Sequence, residues 1–166
     1  AASTKTTAVK DGDDWVLSGQ KSWITNAGVS EYYTILAVTD PDGKRGSNIS
    51  AFVVESSWPG VSVEHRSHFM GLRALANGVI RLADVQVPAE NLIGEEGKGL
   101  RYILDGLNAE RILIAAECIG DGYWFVDKAT AYAKERVVFD RPIGQNQGIQ
   151  FPIARAYANV QAADLM

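Results

Sequence analysis

The chain has 166 residues, 46% hydrophobic and 22% charged, enough for one sizeable core or two small ones and not the makeup of a disordered tail. Its 16 basic and 20 acidic residues give a net charge of −4, with 8 basic and 10 acidic on each side of Leu92. Neither half is a basic module, so a nucleic-acid phosphate surface is disfavoured, and no apolar run approaches the about 18 residues of a membrane-spanning helix.

In chain order, six short segments rich in β-formers come first, at 6–9, 15–17, 33–38, 50–54, 61–65 and 78–82. Asp11-Gly12-Asp13, Asp40-Pro41-Asp42-Gly43 and Trp58-Pro59-Gly60 supply turns between them. Six strands at this spacing predict an antiparallel β-sandwich or partly closed barrel. Near Gly94 the period changes. Leu100, Ile103, Leu104, Leu107, Ile114, Ala115, Cys118 and Ile119 recur at helical steps, and the pattern runs to about Arg136. Arg141-Pro142-Ile143-Gly144 breaks it. A second helix starts near Gln147, with Ile149, Ile153, Tyr157 and Val160 as its stripe and Pro152 expected in the first turn. The expected class is α+β, with a β domain at 1–93 and two long antiparallel helices of an incomplete bundle at 94–166. Ala1 begins without a turn and Met166 ends mid-pattern, so the expectation is a piece of a larger protein, or a chain completed by oligomerisation.

Ala1 to Lys10 is polar and Thr-rich, unlike a signal peptide. The lone Cys118 excludes an internal disulfide and fits a core thiol. His65 and His68 fit surface positions and are too few for a metal cluster, so no metal is expected. Together these features fit a reduced, soluble, intracellular setting. Glu95-Glu96-Gly97-Lys98-Gly99 reads as a solvated linker into the first helix.

The stretch Ser18-Gly19-Gln20-Lys21-Ser22-Trp23-Ile24-Thr25-Asn26-Ala27-Gly28 is the most informative. Gly19 suits a tight turn. On a strand, Trp23 and Thr25 point to the same side and offer a flat aromatic wall beside a hydroxyl, which suits a planar heteroaromatic cofactor. The same residues also fit a core tryptophan and a turn-capping threonine.

With Lys5-Thr6-Thr7-Ala8, Met70-Gly71-Leu72-Arg73, Leu82-Ala83-Asp84-Val85-Gln86-Val87-Pro88 and Asn91-Leu92-Ile93-Gly94, this stretch resembles the middle domain of the acyl-CoA dehydrogenases. Leu107-Asn108-Ala109-Glu110-Arg111, Arg136-Val137-Val138-Phe139 and Ile143-Gly144-Gln145-Asn146-Gln147 resemble the first long helix of that family's C-terminal domain and the loop after it. The resemblance runs through essentially the whole chain in the right order. It implies an FAD enzyme of three domains, helical, β and helical, of which this chain holds most of the second and about half of the third. The family's Thr-Glu-Pro…Gly-Ser-Asp segment would precede Ala1. Its Gly-rich flavin segment, and the catalytic glutamate of many members, would follow Met166.

The resemblance carries roles onto particular positions. Trp23 and Thr25, with Ile24 between them, would flank the flavin ring. Arg136 would reach the FAD of a neighbouring subunit, with Val138 and Phe139 beside it, and Asn146 and Gln147 would meet the adenosine end. Many members have glycine after that phenylalanine, where this chain has Asp140. An acid near a diphosphate is unfavourable unless Arg141 pairs with it or it points away. Arg111 and Asn108 match substrate-contacting positions. Some branches place the catalytic base at Glu110, which shares a stripe with Ile103, Leu107 and Ile114, where desolvation favours proton uptake; a structural pair with Arg111 or the backbone fits too. The implied reaction is α,β-dehydrogenation of an acyl-CoA, with electrons passing to an electron-transfer flavoprotein, in a homo-oligomer, a dimer or tetramer. The setting would be cytoplasmic in a bacterium or the mitochondrial matrix in a eukaryote. An acyl-CoA oxidase on the same scaffold, or a non-catalytic flavin- or acyl-CoA-binding subunit, remains open.

Overall fold

Strands form where β-branched and aromatic side chains alternate with polar ones. The computed structural model, which describes residues 2–166, has β1 (Thr7–Asp11), β2 (Asp14–Thr25), β3 (Tyr32–Val38), β4 (Ile49–Glu55), β5 (Val61–Arg66) and β6 (Asn77–Val87). A two-residue turn joins β1 to β2, with Asp11 opposite Asp14 and Gly12 at φ +63°. In β3 the alternation is plain: Tyr33, Ile35 and Ala37 are buried, while Tyr32 and Thr34 are exposed.

All six strands belong to one sheet, in the order β4-β3-β1-β2-β6-β5. The expected antiparallel pairing holds except between β1 and β3, which are parallel. Thr7 pairs with Val38, and the Val38 N–H donates to the Thr6 carbonyl at 2.8 Å. This happens because the β3–β4 hairpin joins the side of β1 that β2 leaves free. The sheet also curls. Trp15 on β2 and Phe52 on β4 lie 5.4 Å apart, edge to face. On a flat sheet three strand spacings, about 14 Å, would separate them. Curling encloses one core cluster, including Ala8, Leu17, Ile35, Phe52, Val54, Ile80, Leu82 and Val85. Each large apolar side chain buried there contributes about 1.5–3 kcal/mol. The edge strands β4 and β5 do not pair, so the barrel is not closed and the class is α+β.

The segment after β6 is tied down rather than loose. Asn91 Nδ2 donates to the Val53 carbonyl at 2.9 Å, and Ile93 N to the Ala51 carbonyl at 2.8 Å. The expected linker at 95–99 is likewise pinned: Gly97 N donates to Ser50 Oγ at 2.9 Å, and Glu96 pairs with Lys10 at 3.1 Å. Helix α1 (Gly99–Glu135) begins here. At Gly99 a Cβ would fall 2.5 Å from the Ser50 carbonyl carbon, so only glycine lets the helix start this close to β4.

The chain divides into two compact units, Ala1–Asp105 and Gly106–Met166. That division falls inside α1, whereas the change of sequence character falls at Gly94. The second unit contains the rest of α1, a hairpin of β7 (Val137–Val138) and β8 (Arg141–Pro142), and α2 (Gln147–Asp164). The helices are antiparallel. Tyr123 of α1 donates to Asp164 at the end of α2 at 2.9 Å, while Ala133 and Lys134 share a groove of about 450 Å³ with Ile149 and Gln150 at its start. The Asp164 carboxylate, accepting from the Tyr123 hydroxyl, raises the phenol above its usual range. Gly122 makes room for Val160, because a Cβ would come within 2.7 Å of it. Pro152 lies in the second turn of α2 rather than the first, so its missing N–H leaves the Gly148 carbonyl without its usual helical partner.

Candidate functional site

The chemistry suggested by the sequence gathers first on β2. Opposite β6 the register slips: Lys21 pairs with Ile80, but Ile24 pairs with Gly78. The extra residue is a β-bulge, and it holds Trp23 at φ +60°. A bulky aromatic residue rarely adopts this conformation, and strain of this kind gathers at functional sites. Ile24 packs against the core, while Trp23 and Thr25 stand exposed on either side of it. Trp23 is therefore no core residue, with 72% of its surface exposed. Thr25 sits in the ladder opposite Asn77 rather than capping a turn. The turn that follows uses Asn26 at φ +61°, which asparagine tolerates. Gly19 also differs from expectation. It lies within β2, at a second register slip, where an added Cβ would fall 2.8 Å from Thr6 Cα.

Three features near this strand were not anticipated from sequence. Phe69, from the loop before β6, stacks on Trp23 with ring centroids 6.2 Å apart and planes 16° from parallel. Lys21 is half-buried and lines a cavity of about 360 Å³ with Ile24, Thr25, Tyr32 and Leu36. Its ammonium donates to Thr4 Oγ1 at 2.8 Å and to the Leu36 carbonyl at 2.5 Å. Burial lowers it to about 8. Asn77, opposite Thr25, is buried with Oδ1 lacking a hydrogen-bond partner among the described residues. An aromatic in a loop and a lysine on a strand carry no periodic signal, so only the fold reveals these partners.

In the second unit, Asn108, Glu110 and Arg111 share one turn of α1. Arg111 Nη1 donates to Asn108 Oδ1 at 2.7 Å. Glu110 is exposed and forms no ion pair with Arg111. Of the stripe expected to desolvate Glu110, Ile103 and Leu107 are half-buried but Ile114 is exposed, as is the neighbouring Leu113, so the carboxylate itself stays open. Cys118 is exposed for the same reason, and not a core thiol.

Arg136, Val138, Phe139, Asn146 and Gln147 lie at the far end of α1. Arg136 follows the helix directly, exposed and without an acidic partner among the described residues. Phe139 and Asp140 form the hairpin tip with φ +53° and +60°, the pattern of a type I′ turn, and Phe139 is 94% exposed. Arg141 does not pair with Asp140; it donates to Asn146 Oδ1 at 2.7 Å. Asn146 Nδ2 in turn donates to the Ile143 carbonyl at 3.1 Å, so this loop is held by its own side chains. Between Glu110 and Arg136 the helix runs about 39 Å, too far for both to touch one flavin ring. His65 and His68 are exposed. Among the described residues no cluster of three or more His, Cys, Asp or Glu is placed to hold a metal, and no helix is long and apolar enough to cross a membrane.

A curled mixed sheet with an outward tryptophan and threonine, followed by a long helix, a tight hairpin and an antiparallel return helix, is a two-part architecture with a defined family. The family model described as acyl-CoA dehydrogenase, middle domain, matches residues 1–85, and that described as acyl-CoA dehydrogenase, C-terminal domain, matches residues 97–166. The chain belongs to the acyl-CoA dehydrogenase family. It is 41% identical, over 98% of its length, to the cyclohex-1-ene-1-carbonyl-CoA dehydrogenase of Syntrophus aciditrophicus, of which it covers 39%. It is 40% identical, over 98% of its length, to an acyl-CoA dehydrogenase of Bacillus subtilis, of which it covers 43%. The butyryl-CoA dehydrogenase of Megasphaera elsdenii superposes with a TM-score of 0.89 at 34% identity, over 97% of this chain and 42% of that one. The chain thus spans less than half the length of these relatives.

Proposed function

We propose that this chain forms the flavin-facing β domain and part of the C-terminal helical domain of an FAD-dependent acyl-CoA dehydrogenase. The observation that carries the reading is Trp23 and Thr25, exposed together on a bulged strand. A flat, solvent-facing indole beside a hydroxyl is poorly explained by packing and well matched to one side of an isoalloxazine. The donors present fit that group, since an aromatic face and a neutral hydroxyl suit a ring carrying both apolar and acceptor edges.

Bound FAD would supply the acceptor for the hydride leaving the acyl Cβ. The chain's own residues would do the rest. Trp23 and Thr25 orient the ring. Glu110 takes the proton from Cα, and Arg111, held by Asn108, stands beside it. For Glu110 to act as a base near neutral pH, apolar surface must cover the exposed Leu113 and Ile114, three and four residues on along the same face, and desolvate the carboxylate. Arg136, exposed and without an acidic partner among the described residues, meets the diphosphate of FAD held by another subunit of a homo-oligomer. Val138 and Phe139 accompany it, and Asn146 and Gln147 face the adenosine end. The substrate is an acyl-CoA, and the electrons leave to an electron-transfer flavoprotein. The bacterial relatives support a cytoplasmic setting.

The test is anaerobic addition of acyl-CoA to the full-length flavoprotein. Bleaching of the flavin spectrum supports the reading, and no bleaching with any acyl-CoA leaves a binding subunit in its place. Peroxide on admitting air would make the enzyme an oxidase instead.

A further inference from the structure

We infer that Phe69 is a positioning residue for Trp23, holding the indole in the one orientation from which it can cover a flat ring. The role rests on the flavin reading above. Trp23 needs such a support. It sits in a bulge at φ +60°, with 72% of its surface exposed, so β2 itself does little to fix the side chain. Phe69 supplies a fixed wall on one face of the indole, 6.2 Å between centroids and 16° from parallel. An indole backed by one ring presents its opposite face, already oriented, and a ligand stacking there meets less lost side-chain freedom.

Phe69 is suited to this by its own setting. Unlike its neighbours His68 and Met70 it is half-buried, and it lines a cavity of about 220 Å³ with Ser67, His68, Arg73 and Leu75. The loop is anchored at both ends: Ser67 N donates to the Asn77 carbonyl at 2.8 Å, and Asn26 N to the Ala76 carbonyl at 2.8 Å. The second bond ties the loop to the turn that follows the Trp23 bulge. Displacing Phe69 would therefore free the indole while leaving Trp23 and Thr25 themselves in the strand.

The experiment is a double-mutant cycle in the full-length flavoprotein, read by flavin titration of the apoprotein and by visible circular dichroism of the bound flavin. Phe69→Leu should weaken flavin binding by about 2- to 10-fold, the worth of one aromatic pair. It should also change the flavin dichroism, and Phe69→Tyr should restore both. In a Trp23→Leu background Phe69→Leu should add nothing. If the leucine variant does not fold, Phe69→Met is read in its place. An equal loss with and without Trp23 would overturn the role, because Phe69 would then act on its own. Tighter flavin binding on removing Phe69 would also overturn it, because the phenyl ring would be occupying the ligand's face. Should Trp23→Leu itself leave flavin affinity unchanged, the flavin reading fails and the role with it. If Trp23→Leu weakens binding and Phe69→Leu does not, only the role of Phe69 falls.

Discussion

Single residues here work against their own preferences, and that makes them measurable. Burial holds the Lys21 ammonium at about 8, below its ordinary 10.5. The folded chain therefore binds fewer protons than the unfolded chain between those two values, so stability rises with pH across that window. Below it both states are protonated and the desolvation is felt in full. Urea unfolding of the full-length protein at a pH just under 8 and again near 10.5 should show that gain. Lys21→Met should lack it; an equal gain in the variant would place its origin elsewhere. Asp140 is strained in another way. At φ +60° in the second position of a type I′ turn, an L-residue with a side chain is disfavoured where glycine is not. Asp140→Gly should stabilise by about 0.5–1 kcal/mol in thermal unfolding, the relief exceeding the entropy glycine loses. Arg141 is engaged with Asn146, so no ion pair with Asp140 is lost.

At the scale of elements, the strands and helices were legible because their periods are strong. All six strands and both helices form near where the sequence pattern places them, but β2 and β6 run on to Thr25 and Val87, well past the short segments at 15–17 and 78–82. What could not be read was pairing across the sheet. Whether β3 lies beside β2 or beyond β1 depends on the path of the connection, which leaves no mark in the composition of either strand. Bulges were hidden for a similar reason: Gly19 has the sequence look of a turn, but glycine is needed there for the close passage of β1. Gly19→Ala should cost about 1–3 kcal/mol, since Thr6 backbone lies 2.8 Å from the new methyl group. Full stability in that variant would mean the two strands separate freely. Of the site, Trp23 and Thr25 were legible as residues of one strand, but the bulge that breaks the alternation there and holds Trp23 outward was not. The ring beneath Trp23 was not, since loop 67–76 returns to it only through the fold. In α2, Pro152 leaves the Gly148 carbonyl without its helical partner, so Pro152→Ala should stabilise the helix by about 1–3 kcal/mol, read by thermal unfolding.

Over the whole molecule, the exposed apolar side chains along α1 and the length of that helix bear on function together. Ile112, Leu113, Ile114, Trp124 and Phe125 are exposed on a helix whose next residues do pack against α2. Such a surface is stable only when covered, and its covering is what would desolvate Glu110. Arg136 follows the far end of the same helix, about 39 Å from Glu110, beyond the reach of the ring that Glu110 would serve. The two residues should therefore fail in different ways. In the full-length enzyme Glu110→Gln keeps size and hydrogen bonding, so flavin and acyl-CoA should still bind while flavin reduction falls by at least about 10²–10⁴-fold. Arg136→Ala should leave reduction by bound substrate largely intact but release flavin on dilution or gel filtration. Rapid-mixing reduction kinetics and flavin retention, measured on both variants, separate these outcomes. A loss of less than about tenfold in reduction for Glu110→Gln would move the base to another residue and leave Glu110 a surface carboxylate of α1. Unchanged flavin retention in Arg136→Ala would return that arginine to the lesser role of a cation at a helix C-terminus, worth about 0.3–1 kcal/mol.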